Sequence, residues 1–371
     1  MDKNVAVVGG GGRIGISLLY ELVRLGISVP VVVERQGLTI DSLVERANQE
    51  DLSRGRLPWI VAKQGNDILD VKLTGLEGEL NYRPSRIQFI TPNNPSEIDW
   101  MKLGIYLVEE CTGNCTNKSS EGLSLPKYGA DVHFGNGARI VMVSAPTVGE
   151  DATLIYGINE NRYEPGKHFF ISNGSCTTKA VAFPLAVLLD SGVKLFGNVV
   201  VNSVHAETGP ELAELKSPEH QPSYGKIKEN PSGAYTSLAS VFNTDGIVIE
   251  GCEAYAHRIP TLNGSVAIIN VDTGRNYTSE EINDMFRKAK KDEKYKGGIA
   301  VYEGKEPMHS GLITSKNGRV PIFGSNIPSS VISPIRTYVM GRTSAQFASW
   351  YNNEDAPPHN QANLTKYILE G

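Results

Sequence analysis

The chain has 371 residues, enough for two domains with substantial cores, and carries 40% hydrophobic residues with a formal net charge of −5. That composition argues against extensive disorder, and the densest basic run, "RKAKKDEKYK" (287–296), is broken by acids, so neither nucleic acid nor an anionic membrane is expected as a partner. Four cysteines make no disulfide framework, no apolar stretch reaches the about 18 residues of a membrane span, and "MDKNVAVVGGGG" lacks the basic and apolar regions of a secretory signal, so a reducing cytoplasm is expected.

In chain order, "NVAVVGGGGRIGISLLYELVRLG" reads as a short buried strand (4–8), a glycine turn and an amphipathic helix ending near Gly26. A second apolar strand, "SVPVVVERQ", ends at Glu34, and a helix is predicted over "IDSLVERANQ". Strands follow at "RIQFIT", "IYLVEEC", "RIVMVSA" and "HFFISN", with a helix predicted near 119–126. Buried strands alternating with helices imply a mainly parallel, doubly wound sheet. After Cys176 the strands lengthen and partly alternate ("LFGNVVVNSVHAE", "GCEAYAHRIP", "GSVAIINVDT"), as in a mixed or antiparallel sheet packed on helices. The stretch 207–234 is rich in Pro, Gly, Glu and Lys and reads as a long functional loop. The tail "NQANLTKYILEG" reads as a closing helix.

Gly10, Gly12 and Gly15 form G-x-G-x-x-G between a strand and a helix. The first permits the tight turn, the second lets backbone approach a pyrophosphate, and the third lets helix and strand pack closely. Glu34 stands at the end of the second strand, where an acid binds a ribose diol and repels a 2′-phosphate. This favours NAD, while the adjacent Arg35 keeps NADP open. Cys111 and Cys115 make half a metal site, but no second Cys/His pair follows at ligand spacing, so no metal is expected.

Ser175-Cys176-Thr177-Thr178 precede the apolar run "AVAFPLAVLL". A cysteine in the first turn of a helix feels the positive end of the dipole, which favours the thiolate. It still needs a base. His205, at the end of a strand that can lie beside that helix, supplies one. On those two residues alone, a core cysteine and a satisfied structural histidine are the favoured reading.

The blocks "GGGGRIG" (9–15), "ECTGNCTNK" (110–118), "VSAPT" (143–147), "ISNGSCTT" (171–178), "SVHAET" (203–208), "HRIPTLNGSV" (257–266), "YVMG" (338–341) and "SWYNNE" (349–354) together resemble the glyceraldehyde-3-phosphate dehydrogenase family, in the family's order and over nearly the whole chain. The resemblance implies an α/β fold: a Rossmann NAD-binding domain (1–174, with a C-terminal helix, 345–371, packing back on it) and an α+β catalytic domain (175–344) with a mixed or antiparallel sheet. It implies that Cys176 attacks an aldehyde and His205 is the base. The product is a thioester released by phosphate or water. Along the cofactor it sets Arg13, Ile14, Thr112, Gly113 and Ser144 beside the glycines and Glu34, with Asn353 holding the nicotinamide carboxamide. Thr208 and Arg258 match residues that hold the substrate phosphate. Ser175, Thr177, Ser232 and Gly233 are similar to the second anion site, where inorganic phosphate enters. A homo-oligomer, tetramer or dimer, is implied by the same resemblance.

The departures from the family cluster at substrate-facing places. Lys179 stands where the family has asparagine, either salt-bridged to an acid, meeting a charged substrate, or lying on a helix surface. The arginine-rich loop after the histidine is replaced by "GPELAELKSPEHQPSYGKIKEN", which weakens the case for phosphorolysis. Glu34-Arg35 replaces the usual Asn-Asp and resembles the erythrose-4-phosphate dehydrogenase branch. "LPKYGADVHFGNG" (125–137) is extra, and "DAPPH" lacks the family's tyrosine after Asn-Glu. The expectation is a paralogue with an altered substrate or acceptor. A dinucleotide-binding regulatory protein without catalysis and a reductase running in the reverse direction are the alternatives.

Overall fold

In β1 (Asn4–Val8), Val5, Ala6, Val7 and Val8 are all buried, the pattern of a strand covered on both faces. The computed structural model describes residues 3–49, 57–74, 85–206, 228–231, 234–242, 251–261, 263–314 and 327–371. They fall into two compact units: Met1–Ile155, Asn159–Gly174 and Pro357–Gly371 in the first, Tyr156–Ile158 and Ser175–Ala356 in the second.

In the first unit β1 is followed by α1 (Arg13–Arg24), β2 (Val31–Val33), α2 (Ile40–Asn48), β3 (Trp59–Gln64), β4 (Ile68–Leu73), β5 (Ser85–Ile90), β6 (Ile105–Glu110), α3 (Asp131–Gly135), β7 (Ile140–Val143), β8 (Ala152–Thr153) and β9 (Phe170–Ser172). The nine strands make one sheet in the order β3-β4-β5-β2-β1-β6-β7-β9-β8. From β5 to β8 every pairing is parallel, as the alternation of apolar strands and helices predicts. The antiparallel hairpin β3–β4 on the edge was not anticipated; its strands alternate buried and exposed residues and are too polar to stand out as buried runs. The predicted helix at 119–126 is also absent. Gly122 there has φ +75°, and Ser120 turns back to donate its N–H and hydroxyl to Asp131, at which the short α3 begins.

The second unit holds α4 (Cys176–Asp190), β10 (Phe196–Ala206), β11 (Lys228–Pro231), α5 (Ala234–Phe242), β12 (Gly251–Ile259), β13 (Ser265–Asp272), α6 (Ser279–Ala289), β14 (Ile299–Val301), β15 (Ser330–Ile332), β16 (Tyr338–Met340) and β17 (Ser344–Tyr351). Its sheet is mixed, in the order β11-β12-β10-β13-β17-β15-β14, with β16 paired to β17. The closing helix α7 (Ala356–Glu370) is shorter than the 345–371 expected. Ser344–Tyr351 pairs antiparallel with β13 through eight residues instead, because "SAQFASWY" alternates and is rich in aromatics. Pro357 and Pro358 then suit a first helical turn, whose N–H groups need no helical partner. In the first unit, Gln361 and Thr365 of α7 donate to the buried Glu109 of β6. Among the described residues no helix is long and apolar enough to cross a membrane.

Candidate active site

Cys176 is the first residue of α4, and the residues around it explain why the helix starts there. Ser175 is extended (φ −89°, ψ 172°). Its hydroxyl accepts the Thr178 N–H at 3.0 Å, and the Thr178 hydroxyl accepts the Ser175 N–H at 3.1 Å. Such a reciprocal cap is worth about 1 kcal/mol and fixes the first turn. No acid lies in that turn, so the dipole of a 15-residue helix acts on the sulfur without an opposing charge of its own. Residues 177–188 are all buried, so α4 is gripped on every side. Pro184 has no N–H for the Ala180 carbonyl, and the Ser349 hydroxyl donates to that carbonyl instead at 2.7 Å.

His205 sits one residue from the end of β10, 5% exposed, level with Arg258 on the neighbouring parallel strand β12. Its Nε2 lies 3.2 Å from the Cys176 sulfur, and its Nδ1 lies 2.7 Å from the Ala206 carbonyl oxygen. A carbonyl only accepts, so Nδ1 carries a proton and Nε2 is the atom that exchanges one with the thiol. Arg258 Nη1 is 3.5 Å from the same Nδ1 and 3.3 Å from the Ala206 oxygen. A protonated Nδ1 cannot accept, so the guanidinium donates to the shared carbonyl. Tyr351 stands edge-on to the imidazole at 5.9 Å, with its hydroxyl 2.9 Å from Thr177 Oγ1. Tyr351 lies in the "SWYNNE" stretch, and alternation along β17 does not by itself reveal that it faces this ring.

The electrostatics favour separated charge. Burial pushes the Cys176 thiol up, but the charge and hydrogen bond of His205, the Thr177 hydroxyl and the Lys179 ammonium together bring it below its ordinary value. Burial pushes the imidazole down, and the sulfur's charge and hydrogen bond, with the Ala206 carbonyl, bring it above. The two shifts describe one thiolate–imidazolium pair. Lys179 is 1% exposed rather than on a helix surface, and burial lowers its ammonium to about 7 against the pull of Cys176.

Ser265 extends the site in the second unit. Its hydroxyl accepts the Ala206 N–H at 3.0 Å and donates to Asn353 Oδ1 at 3.1 Å, and the Gly264 N–H reaches the same oxygen at 2.9 Å. Asn353 Nδ2 is left buried without an acceptor among the described residues. An orphaned amide of that kind costs stability unless a ligand carbonyl completes it, and it fits a carboxamide oxygen.

The glycine turn lies in the first unit. A methyl group on Gly10 would sit 2.6 Å from Val32 Cγ1, and one on Gly15 would overlap the Gly9 carbonyl, so both positions need glycine for the close strand–helix approach. Gly12 is the extended N-cap of α1 (φ −74°, ψ 166°) and provides no side-chain cap to the turn opened by Arg13 and Ile14. Glu34, buried just past β2, accepts the Gly11 N–H and, at 3.3 Å, the Arg35 N–H. Burial raises its carboxyl although these two bonds oppose it. Beside it opens a cavity of about 390 Å³ whose walls include Gly9, Glu34, Arg35, Thr112, Leu125 and Tyr128. A glycine-tight turn, an uncapped helix start and an acid on a cavity of this size fit the adenosine side of a dinucleotide. Gly113 has φ +73°, and Ser144 donates its hydroxyl to the Glu110 carbonyl at 3.3 Å.

Of the residues singled out in the sequence, the structure thus brings Ser175, Cys176, Thr177, His205, Arg258 and Asn353 into one neighbourhood of the second unit. Gly10, Gly12, Arg13, Ile14, Gly15, Glu34, Thr112, Gly113 and Ser144 all belong to the first. Thr208, Ser232 and Gly233 lie outside the described residues. Cys115, but not Cys111, joins Glu110 and His133 in a buried trio whose ligand atoms lie within 4.8 Å of one another. The trio is already occupied by its own hydrogen bonds: the Trp100 indole N–H donates to His133 Nδ1 at 3.2 Å, so Nε2 carries the proton and turns it to Glu110 Oε2 at 3.3 Å. That tautomer leaves His133 no lone pair for a metal.

Residues 175–353 match the family described as "Glyceraldehyde 3-phosphate dehydrogenase, C-terminal domain". Glyceraldehyde-3-phosphate dehydrogenase 2 of Streptomyces avermitilis is 30% identical over 316 residues, covering 81% of this chain and 83% of its own. Glyceraldehyde-3-phosphate dehydrogenase of Streptomyces coelicolor is 29% identical with the same coverage, and glyceraldehyde-3-phosphate dehydrogenase 1 of Bacillus subtilis is 27% identical over 87% of this chain and 86% of its own. The chain belongs to the glyceraldehyde-3-phosphate dehydrogenase family.

Proposed function

We propose that this protein is an NAD-dependent dehydrogenase that oxidises a short anionic aldehyde through a thioester on Cys176. Its substrate or acceptor differs from that of the glycolytic enzyme. The observation that carries the reading is the 3.2 Å contact between the Cys176 sulfur and His205 Nε2 at the start of a buried helix. The thiolate attacks the aldehyde carbon, a C–S bond forms, and the carbonyl oxygen takes up the imidazolium proton. His205 Nε2 then takes the hydroxyl proton back as the C–H bond breaks, leaving a thioester. NAD, when bound, accepts the hydride. The Cys176 N–H, unpaired within the helix at its first position, is placed to stabilise charge on the substrate oxygen. Arg258, beside His205, is a guanidinium suited to a phosphate or carboxylate at the far end of the substrate.

Glu34 supports NAD over NADP, because a buried carboxylate beside the cavity opposes a 2′-phosphate. Phosphate and water both remain acceptors of the acyl group. The buried Lys179 and the absence of arginine from residues 209–230 motivate the altered specificity. The protein works in the cytoplasm, where the thiolate stays reduced, as a homo-oligomer.

The test is reduced-cofactor formation with glyceraldehyde 3-phosphate, erythrose 4-phosphate and related anionic aldehydes, with and without phosphate. Turnover is expected on at least one, and Cys176→Ser should abolish it while leaving cofactor binding intact. Cofactor binding without turnover on any of them, together with a Cys176 no more reactive than free cysteine, would overturn the reading in favour of a regulatory dinucleotide-binding protein.

A further inference from the structure

Lys179 is a buried lysine in the turn that also carries Cys176, and nothing in the reaction above uses it. It is 1% exposed and lies three residues after the cysteine in α4. Residues three apart share a helix face, and helical side chains lean toward the N-terminus. The lysine stem therefore runs back over the turn that bears the sulfur. The elements packed around α4 include α5, α6, β13, β15 and β17. Of these, β15 contains no titratable residue, α5 contains only Tyr235, and Tyr351 is the only titratable residue of β17. On α6, Arg287 is engaged with Glu280, Asp284 and Glu303, all well exposed, and Asp272 sits at the end of β13 opposite Ser265. At the sulfur itself stands His205, from β10, while Arg258 of β12 reaches the far nitrogen of that imidazole.

We infer that Lys179 is a positioning residue for the nucleophile: its buried ammonium is a second positive charge, fixed in the helix itself, that holds the Cys176 sulfur in the anionic form alongside the imidazolium of His205. The inference rests on the thiolate reading above. The two groups feel each other reciprocally, the ammonium lowering the thiol and the thiolate raising the ammonium against the burial that depresses it. A buried ammonium is costly, and a thiolate one turn away is a chemically sensible reason to retain it. The consequence is a division of labour. With two cations sharing the thiolate, the sulfur of the free enzyme stays anionic whether or not His205 carries its second proton.

The experiment is the pH profile of Cys176 alkylation by iodoacetamide in the full-length protein, which needs no substrate. Lys179→Met and Lys179→Asn should move the midpoint upward and slow alkylation at pH 6 on the order of tenfold, whereas Lys179→Arg should retain the original profile. Methionine removes the charge at similar volume, and because removing one partner of a buried pair can cost stability, the melting temperature of each variant is measured alongside its alkylation profile. If Met and Asn alkylate with the unmodified profile while only their melting temperatures move, Lys179 is structural and the inference is overturned. A measurement on the wild-type sequence covers the case of variants that do not fold. With 13C-labelled lysine, alkylating Cys176 removes the thiolate and should lower the Lys179 titration midpoint; an unmoved midpoint also overturns the inference. The dehydrogenase reading fails separately, since a wild-type Cys176 that titrates like free cysteine sinks the thiolate itself, whereas a perturbed thiol indifferent to residue 179 sinks only the role of the lysine.

Discussion

His133 in the first unit and His205 in the second are both buried, and each has a cysteine close by. Around His133 every polar atom is spoken for: Trp100 donates to Nδ1, Nε2 donates to Glu110, and Glu110 also accepts the Tyr128 hydroxyl at 2.7 Å and the Thr112 N–H at 2.8 Å. Burial and the charges of Glu110 and Asp131 push the Cys115 thiol upward, so it stays protonated and inert. Around His205 the same residue types are arranged to leave work undone. Cys176 is half-buried at a helix start, its thiol is pulled down, and Asn353 Nδ2 is unpartnered among the described residues. A buried histidine beside a cysteine is therefore not informative by itself. What separates structure from chemistry is whether the hydrogen bonds close, and whether the nearby charge is an anion or a cation.

The largest effect should come from exchanging the two histidines' fates. His205→Asn should lower turnover by about 10²–10⁴-fold and slow Cys176 alkylation near neutral pH. In the parent protein the reactive form should hold on a plateau between the lowered thiol step and the raised imidazole step. His133→Asn should leave alkylation of Cys176 unchanged and lower only the stability of the fold. Equal losses of turnover from both substitutions, measured per folded molecule, would erase the distinction drawn here.

The sequence exposed these two regions unequally. The glycine turn, β1, β2 and the catalytic helix were legible because each has a local cause: apolar runs, a cap, and glycines at fixed offsets. Cys176 and His205 were legible as a pair only through the resemblance, since 29 residues of separation say nothing about a contact. Lys179 was open between surface and interior, because one residue in a helix does not reveal that the helix is buried on all sides. The Trp100–His133–Glu110 network was invisible: its members are scattered over more than thirty residues and are joined by tertiary packing alone. The β3–β4 hairpin and β17, the latter expected as part of a helix, were missed for a related reason, that alternating strands declare themselves only once their partners are known.

Glu109, the neighbour of Glu110 on β6, sharpens the comparison from the other side. It is fully buried, its donors among the described residues are Thr365 and Gln361, and burial raises its carboxyl to about 7 in spite of both. A raised carboxyl binds its proton more tightly in the folded state. Its stabilising contribution is complete below the unfolded value of about 4.5 and is lost as pH rises through about 7, a change of about 3 kcal/mol. Glu109→Gln should remove this dependence, so the variant's stability relative to the parent should rise by about that amount between pH 4.5 and pH 8. Denaturant unfolding at several pH values measures it, and a difference that stays flat would mean that Glu109 is ionised in the fold despite its burial.

The smallest effect tests whether the first region is as closed as it looks. Trp100→Phe keeps the ring in the core, where Trp100 is fully buried, and deletes only the indole N–H that fixes the His133 tautomer. The imidazole Nδ1 is then a buried acceptor without its donor, which costs about 1–3 kcal/mol. Stability should fall by that amount, while alkylation of Cys176 and turnover remain at the parent values. The alternative is informative in sign. If the variant is as stable as the parent, His133 has switched to its other tautomer, released Glu110 and found a new partner for Nδ1, and the network around it is held by packing rather than by the donor that Trp100 supplies.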